Sequence, residues 1–293
     1  MSSPLLQRRL IFITGKGGVG KSTVAMALAG VAARRGMRTI VADMNGTGEE
    51  HEQQLAPNLF TLSIDPQRAM EEYLSVKVGG TAGQILGQSR MFSAFAMATP
   101  GMRELLSLGK VWELAQTRRR TREAEPYDLT VVDAPASGHG AALLRTPRTF
   151  AEIAKVGPIA SQAGAIAQTL TDRDFTAIVA VAVPEDLAVA ETLELDEALQ
   201  RERLNIDLVV LNQRHPDRFD ERDRTALASW VGRDEITPAI RVALAADLRA
   251  RSEAAQAARL QARFGERLQS LPFLFSAELG AEQLAQLGEA LAL

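Results

Sequence analysis

The chain has 293 residues, 46% of them hydrophobic, and a formal net charge of −3; it is long enough to bury a large core and has no basic excess to drive nucleic-acid binding. It contains no cysteine, which excludes disulfides, thiol catalysis and thiolate metal sites. Residues 1–9 lack an apolar signal core and no apolar run approaches the roughly 20 residues that cross a bilayer, so a soluble, cytoplasmic protein with no integral membrane segment and no nucleic-acid partner is expected.

The apolar run Leu10-Ile11-Phe12-Ile13 reads as a buried strand, and Val24 to Arg35 as an alanine-rich helix closed by Gly36. Between them lies Thr14-Gly15-Lys16-Gly17-Gly18-Val19-Gly20-Lys21-Ser22-Thr23. Gly15, Gly20, Lys21 and Ser22 satisfy G-x-x-x-x-G-K-[ST], in which glycines let the backbone curl so that successive N–H groups point at phosphate oxygens. Lys21 is placed to reach the β- and γ-phosphates and Ser22 to ligate Mg²⁺, while the helix offers its positive end to the anion. The expected nucleotide-binding residues here are Gly15, Lys16, Gly17, Gly18, Val19, Gly20, Lys21, Ser22 and Thr23, with ATP and Mg²⁺ as cofactors.

Arg38 to Ala42 predicts a second strand that ends in Asp43. An acid at the C-terminal end of a strand in an open α/β sheet lies on the ligand side, where Asp43 can position or deprotonate a water; a helix N-cap is the alternative. Asn58 to Ile64 alternates as a strand, and Asp65-Pro66 opens a helix through Leu74. From Thr81 to Gln116, Ile85, Phe92, Phe95, Leu105, Leu108 and Trp112 fall at helical spacings broken at Pro100-Gly101. Met91, Met97 and Met102 sit in the same stretch, and flexible thioethers suit either an adaptable apolar groove or the domain's own core. Thr117 to Glu125, with Arg118-Arg119-Arg120, reads as a solvated helix end or loop.

Tyr127 to Asp133 is a β-branched run too apolar for an exposed strand, and its terminal acid, Asp133, is a candidate for holding Mg²⁺ through water. His139 follows in Gly138-His139-Gly140, as a switch-loop residue or a general base. Further strands are expected over Ala177–Val183 and Leu208–Leu211, with a helix from Pro184-Glu185-Asp186 to Leu199 between them. Asn212 closes the last of these strands as an adenine reader or a turn former. Arg241 to Gln269 predicts a long amphipathic helix with Val242, Leu244, Ala245, Leu248, Leu260 and Phe264 on one side. Leu271 to Phe275 predicts an edge strand or loop, and Ala281 to Leu291 a closing helix.

The string GKGGVGKST resembles the deviant phosphate loop of the dimeric ATPases that include the arsenite-pump, tail-anchored-protein-targeting, Min and Par ATPases. IDPQRAMEEYL, PGMRELLSLGKVWEL, the Gly138-His139 spacing from Asp133, VPEDLAVAETLELDEAL and LPFLF narrow the resemblance to the arsenite-pump and tail-anchored-targeting family. The acidic terminal helix, with Glu278, Glu282 and Glu289, speaks against a Min-type membrane switch. The resemblance implies a three-layer α/β/α P-loop NTPase fold with a mainly parallel sheet and a helical insertion. It implies one ATPase domain over residues 1–293, with the insertion at about 79–120 as a client subregion. It further implies that Lys16 crosses a dimer interface to the partner's nucleotide, that Asn212, Pro272 and Phe273 flank the adenine, and that Lys16, Lys21 and Asp43 are catalytic. The partners it implies are an identical or related ATPase chain and a hydrophobic client or membrane-protein partner. A motor subunit for a membrane anion transporter or a positioning system is the competing role. One phosphate loop makes the chain half of the tandem pump, and without cysteine there is no thiolate to bind arsenite. The first switch, Asp43-Met44-Asn45-Gly46-Thr47, keeps the acid but lacks the family's proline-alanine-histidine.

Overall fold

The computed structural model describes residues 4–46, 49, 51–77, 98–119, 124–136, 140–231 and 237–291. Ile85, Met91, Phe92, Phe95, Met97 and His139, read above as groove, core or switch residues, lie outside the described residues, as does the first part of the expected insertion, through residue 97.

Eight strands form one sheet in the order β3-β4-β2-β5-β1-β6-β7-β8. They are β1 Leu10–Thr14, β2 Thr39–Asp43, β3 Gln53–Ala56, β4 Leu59–Ser63, β5 Leu129–Asp133, β6 Thr176–Ala182, β7 Leu208–Arg214 and β8 Leu268–Pro272. Every pairing is parallel except β3 with β4. The helices among the described residues are α1 Lys21–Arg34, α2 Pro66–Lys77, α3 Met102–Ala115, α4 Gly140–Ala154, α5 Pro158–Thr171, α6 Asp186–Arg201, α7 Glu221–Ser229, α8 Thr237–Phe264 and α9 Ala281–Ala290.

Successive strand residues face opposite sides of a sheet, and here both sides are covered. Ile11 and Ile13 of β1 pack with Val24 and Leu28 of α1 and Leu287 of α9. Leu10 and Phe12, one residue out of phase, pack in the other layer with residues of α3, α4, α5, α6 and α8. Burial on both faces is why β1, β2, β5, β6 and β7 read as nearly unbroken apolar runs. The result is the three-layer α/β/α arrangement with a mainly parallel sheet. Helix α1 stops where Gly36 takes φ +87°; the N–H of Gly36 donates to Ala33 O and that of Met37 to Ala32 O, a pairing that satisfies carbonyls orphaned at the helix end.

Three expectations change. Helix α8 begins at Thr237 and ends at Phe264, five residues short of Gln269, because Gly265 turns left-handed at φ +55° and Gln269 pairs with Val210 in β8. Val242 and Leu248 do not line its buried side: they are 71% and 67% exposed. The buried side carries Ile240, Ala250, Leu260 and Phe264 together with Asp247 and Glu253, whose carboxylates meet Arg224 at 2.9 Å and His215 at 2.8 Å, so polar partners interrupt the apolar side in the helix's middle while Leu260 and Phe264 face inward as expected. Arg119 is not solvated, since its side chain is 1% exposed between Glu52 and Glu113. In α3, Leu105 and Leu108 are buried in the core and Met102 and Trp112 pack against it, so this described part of the Met-rich stretch serves the domain interior.

Candidate functional site

The loop between β1 and α1 is held against the ends of β6 and β7. A Cβ on Gly15 would stand 2.2 Å from the Val181 carbonyl oxygen of β6, and one on Gly20 would stand 2.4 Å from Nδ2 of Asn212. Both glycines also have positive φ, +142° and +90°, so close approach and backbone conformation exclude larger residues together. Asn212, at the end of β7 and 4% exposed, donates its amide Nδ2 to the Val19 carbonyl at 2.9 Å. The residue read as an adenine contact thus braces the phosphate loop directly. Lys21 opens α1, is 8% exposed and donates from Nζ to the Lys16 carbonyl at 3.1 Å. Burial pushes its ammonium below the ordinary lysine value, and Asp133 opposes the fall.

The carboxylates come together through strand register. β2 and β5 are adjacent and parallel, with Asp43 opposite Asp133. The Ser22 hydroxyl donates to Asp133 Oδ2 at 2.5 Å. Asn45 donates from its backbone N–H and from Nδ2 to Asp43 Oδ1, at 2.8 and 2.9 Å, and its amide lies 3.5 Å from Asp133 Oδ2. Asp133 is 4% exposed, and its Oδ1 is buried without a hydrogen-bond partner among the described residues. Burial raises the Asp133 carboxyl above its usual range; the Ser22 hydrogen bond and Lys21 pull it down, and neighbouring Asp43 pushes it up. Two facing acids, a hydroxyl and an unpartnered buried carboxylate oxygen are an oxygen donor set suited to a small divalent cation, which keeps most of its remaining ligands as water and phosphate.

At the outer end of the same edge, Pro272 closes β8 in register with Arg214, and the Phe273 N–H donates to the Arg214 carbonyl at 2.8 Å. The Phe273 ring stacks on His215 at 4.5 Å between centroids, and Glu253 accepts both from the His215 backbone N–H and at its ring nitrogen Nδ1, each at 2.8 Å. Sequence reasoning assigned His215 no role, and it marked Asn45 only as a member of the first switch. Asn45 lies two residues beyond the strand acid, where a short amide turns back onto a carboxylate, whereas nothing local marked His215.

The Anion-transporting ATPase family matches residues 8–162 and, in a second segment, residues 151–235. The chain belongs to this family. It is 33% identical over 235 residues to ATPase BagA of Mycobacterium tuberculosis, covering 73% of this chain and 68% of that protein. It is 26% identical over 263 residues to ATPase GET3 of Podospora anserina, covering 73% and 76% of the two chains. To ATPase GET3 of Kluyveromyces lactis it is 27% identical over 261 residues, covering 73% and 74%. The fold is accordingly that of a P-loop NTPase, and the activity is ATP hydrolysis, in which water displaces the terminal phosphoryl group of a nucleotide substrate.

In this chain the two loop lysines are placed differently. Lys21 is turned inward, whereas the side chain of Lys16 is 31% exposed and its Nζ lies 3.1 Å from Glu191 Oε1 on α6. Among the described residues no helix is long and apolar enough to cross a membrane.

Proposed function

We propose that the chain is a Mg²⁺-dependent, nucleotide-switched dimer in which Lys16 of each chain completes the partner's site. The observation that carries this reading is the split between the lysines: one loop holds Lys21 inside and sets Lys16 on its rim, where a second copy can reach it. The Ser22 hydroxyl and the Asp133 carboxylate would hold Mg²⁺, which on binding neutralises charge on the phosphoryl oxygens. The phosphate loop and the N-terminus of α1 bind and orient the triphosphate. Asp43, fixed by Asn45, orients the attacking water and takes up its proton. Asn212 holds the loop at Val19, and Pro272 and Phe273 flank the base.

A cation supplied across an interface stabilises charge spread over the transferring phosphoryl group, and a comparable arginine finger is worth about 10³ to 10⁵ in rate. Turnover then couples opening and closing of the dimer to binding and release of a hydrophobic client or membrane-protein partner, which is the role the family resemblance implies.

Mixing variants tests the shared site. Lys16→Ala and Asp43→Asn chains should each be inert, while a mixed dimer contains one site with its own Asp43 and the partner's Lys16. Activity should partly return on mixing. Demonstrable mixed dimers as inactive as their components would place Lys16 within its own site instead.

A further inference from the structure

If Lys16 serves a neighbour's nucleotide, it must leave its place in its own chain, and that place is occupied. Its Nζ is 3.1 Å from Glu191 Oε1, with the two side chains 31% and 37% exposed. We propose that Glu191 is a positioning residue for Lys16: it retains the ammonium on its own chain and so sets how readily ATP brings two chains together. This rests on the reading of Lys16 as a residue that acts across the dimer.

The carboxylate is held on a fixed support. Helix α6 follows β6, which pairs with β1 so that Ala180 stands opposite Thr14, and Gly15 is in close approach to Val181. The helix is anchored by Val189 and Leu199, both fully buried, and by Asp196, whose carboxylate accepts from Arg263 at 2.6 and 2.8 Å. Loop and helix are therefore coupled through adjacent strands, and the carboxylate meets Lys16 at a set distance rather than from a loose segment.

The strength of the pair suits a latch that nucleotide can open. Ion pairs with this much exposure shift an equilibrium by about 1.4- to 5-fold, because solvent screens the charges and two long side chains lose freedom. Both chains must release their lysine to form a reciprocal dimer, so the penalties multiply to about 2- to 30-fold on the dimer constant. That range changes the concentration at which chains pair without preventing pairing. An encounter without nucleotide supplies no phosphate to replace Glu191 as the partner of Lys16, whereas an ATP-loaded neighbour does.

Sedimentation equilibrium of the full chain with Mg²⁺ and β,γ-imido-ATP measures this. Glu191→Gln, which removes the charge and keeps the shape, should pair about 2- to 30-fold more tightly than the parent. Glu191→Asp, with a shorter reach to the same charge, should fall between them. The gain should vanish in the Lys16→Ala background, where a merely structural effect of position 191 would persist. Unchanged or weaker pairing in Glu191→Gln, or a gain that survives loss of Lys16, overturns the proposal. Complementation between Lys16→Ala and Asp43→Asn separates the two failures: active mixtures with an unmoved Glu191→Gln constant overturn the latch alone. Inactive mixed dimers overturn the cross-dimer role and the latch with it.

Discussion

Asp133 and Glu113 are both buried carboxylates, 4% and 6% exposed, and their surroundings are completed in opposite ways. Glu113, on α3, accepts from Arg119 Nε at 2.9 Å and lies 3.5 Å from Lys110 Nζ. Arg119 also pairs with Glu52 at 2.5 Å, and the Tyr127 hydroxyl donates to Glu52 at 2.6 Å. Burial alone would lower the Arg119 guanidinium, but Glu52 and Glu113 more than reverse that. Burial would likewise raise Glu52, yet the hydrogen bonds from Arg119 and Tyr127 hold it below its usual value. In this network every charge named has an opposite charge or a hydrogen bond. At Asp133 a second acid faces the first, one oxygen has no partner among the described residues, and burial keeps the carboxyl raised. A buried carboxylate network that is complete by itself supports the fold. One that is short of positive charge is prepared for a cation and a phosphate to arrive together.

The largest effect that sharpens this contrast is on stability. Arg119→Met should destabilise the chain by about 3–5 kcal/mol, because it removes the guanidinium shared by the carboxylates of Glu52 and Glu113 and leaves buried Glu113 only Lys110, 3.5 Å away, while nucleotide affinity of the folded chain stays close to the parent's. Chemical denaturation combined with nucleotide titration reads both quantities. Equal losses of stability and of affinity would mean that the two clusters are not separate devices.

A smaller effect concerns acid. The Glu52 carboxyl is depressed in the folded chain, so its contribution is fully present above the unfolded carboxyl's ordinary value of 4.5. That contribution is lost as pH falls through the lower folded value. Glu52→Gln should therefore flatten the fall in stability below about pH 4.5 relative to the parent, as read from denaturation midpoints across pH. An unchanged slope would remove Glu52 from the network.

Much of this contrast was legible in the chain, and the rest was set by contacts between distant segments. The central strands could be read because burial on both faces makes them continuously apolar, and the phosphate loop because its glycines and Lys21 are contiguous. Strand β3, all four residues exposed, carries no apolar pattern and was missed. Helices α4 and α5 were also unassigned, with Pro147 inside the first. Asp133 was identifiable as a strand-end acid, but its pairing with Ser22 and opposition to Asp43 depend on strand order. Arg119 in a basic run looked solvated because its partners, Glu52 and Glu113, come from a separate strand-flanking segment and from α3. Glu191 lies in the string VPEDLAVAETLELDEAL, but nothing local marks it as a partner of Lys16: the register of β6 against β1 brings its helix there.

The most direct test of the cation-ready site is thermal unfolding of the parent and Asp133→Asn, each alone and with β,γ-imido-ATP, with and without Mg²⁺. Removing the undercompensated buried charge should raise the nucleotide-free midpoint by about 1.5–2 °C, corresponding to about 1 kcal/mol for a chain of this size. The parent should gain further stability from nucleotide when Mg²⁺ is added, since ligands that bind only the folded state stabilise it, and Asp133→Asn should lose that Mg²⁺-dependent gain. A variant that melts below the parent without nucleotide, or that keeps the full Mg²⁺-dependent gain, would contradict the assignment of Asp133 to a cation-ready site.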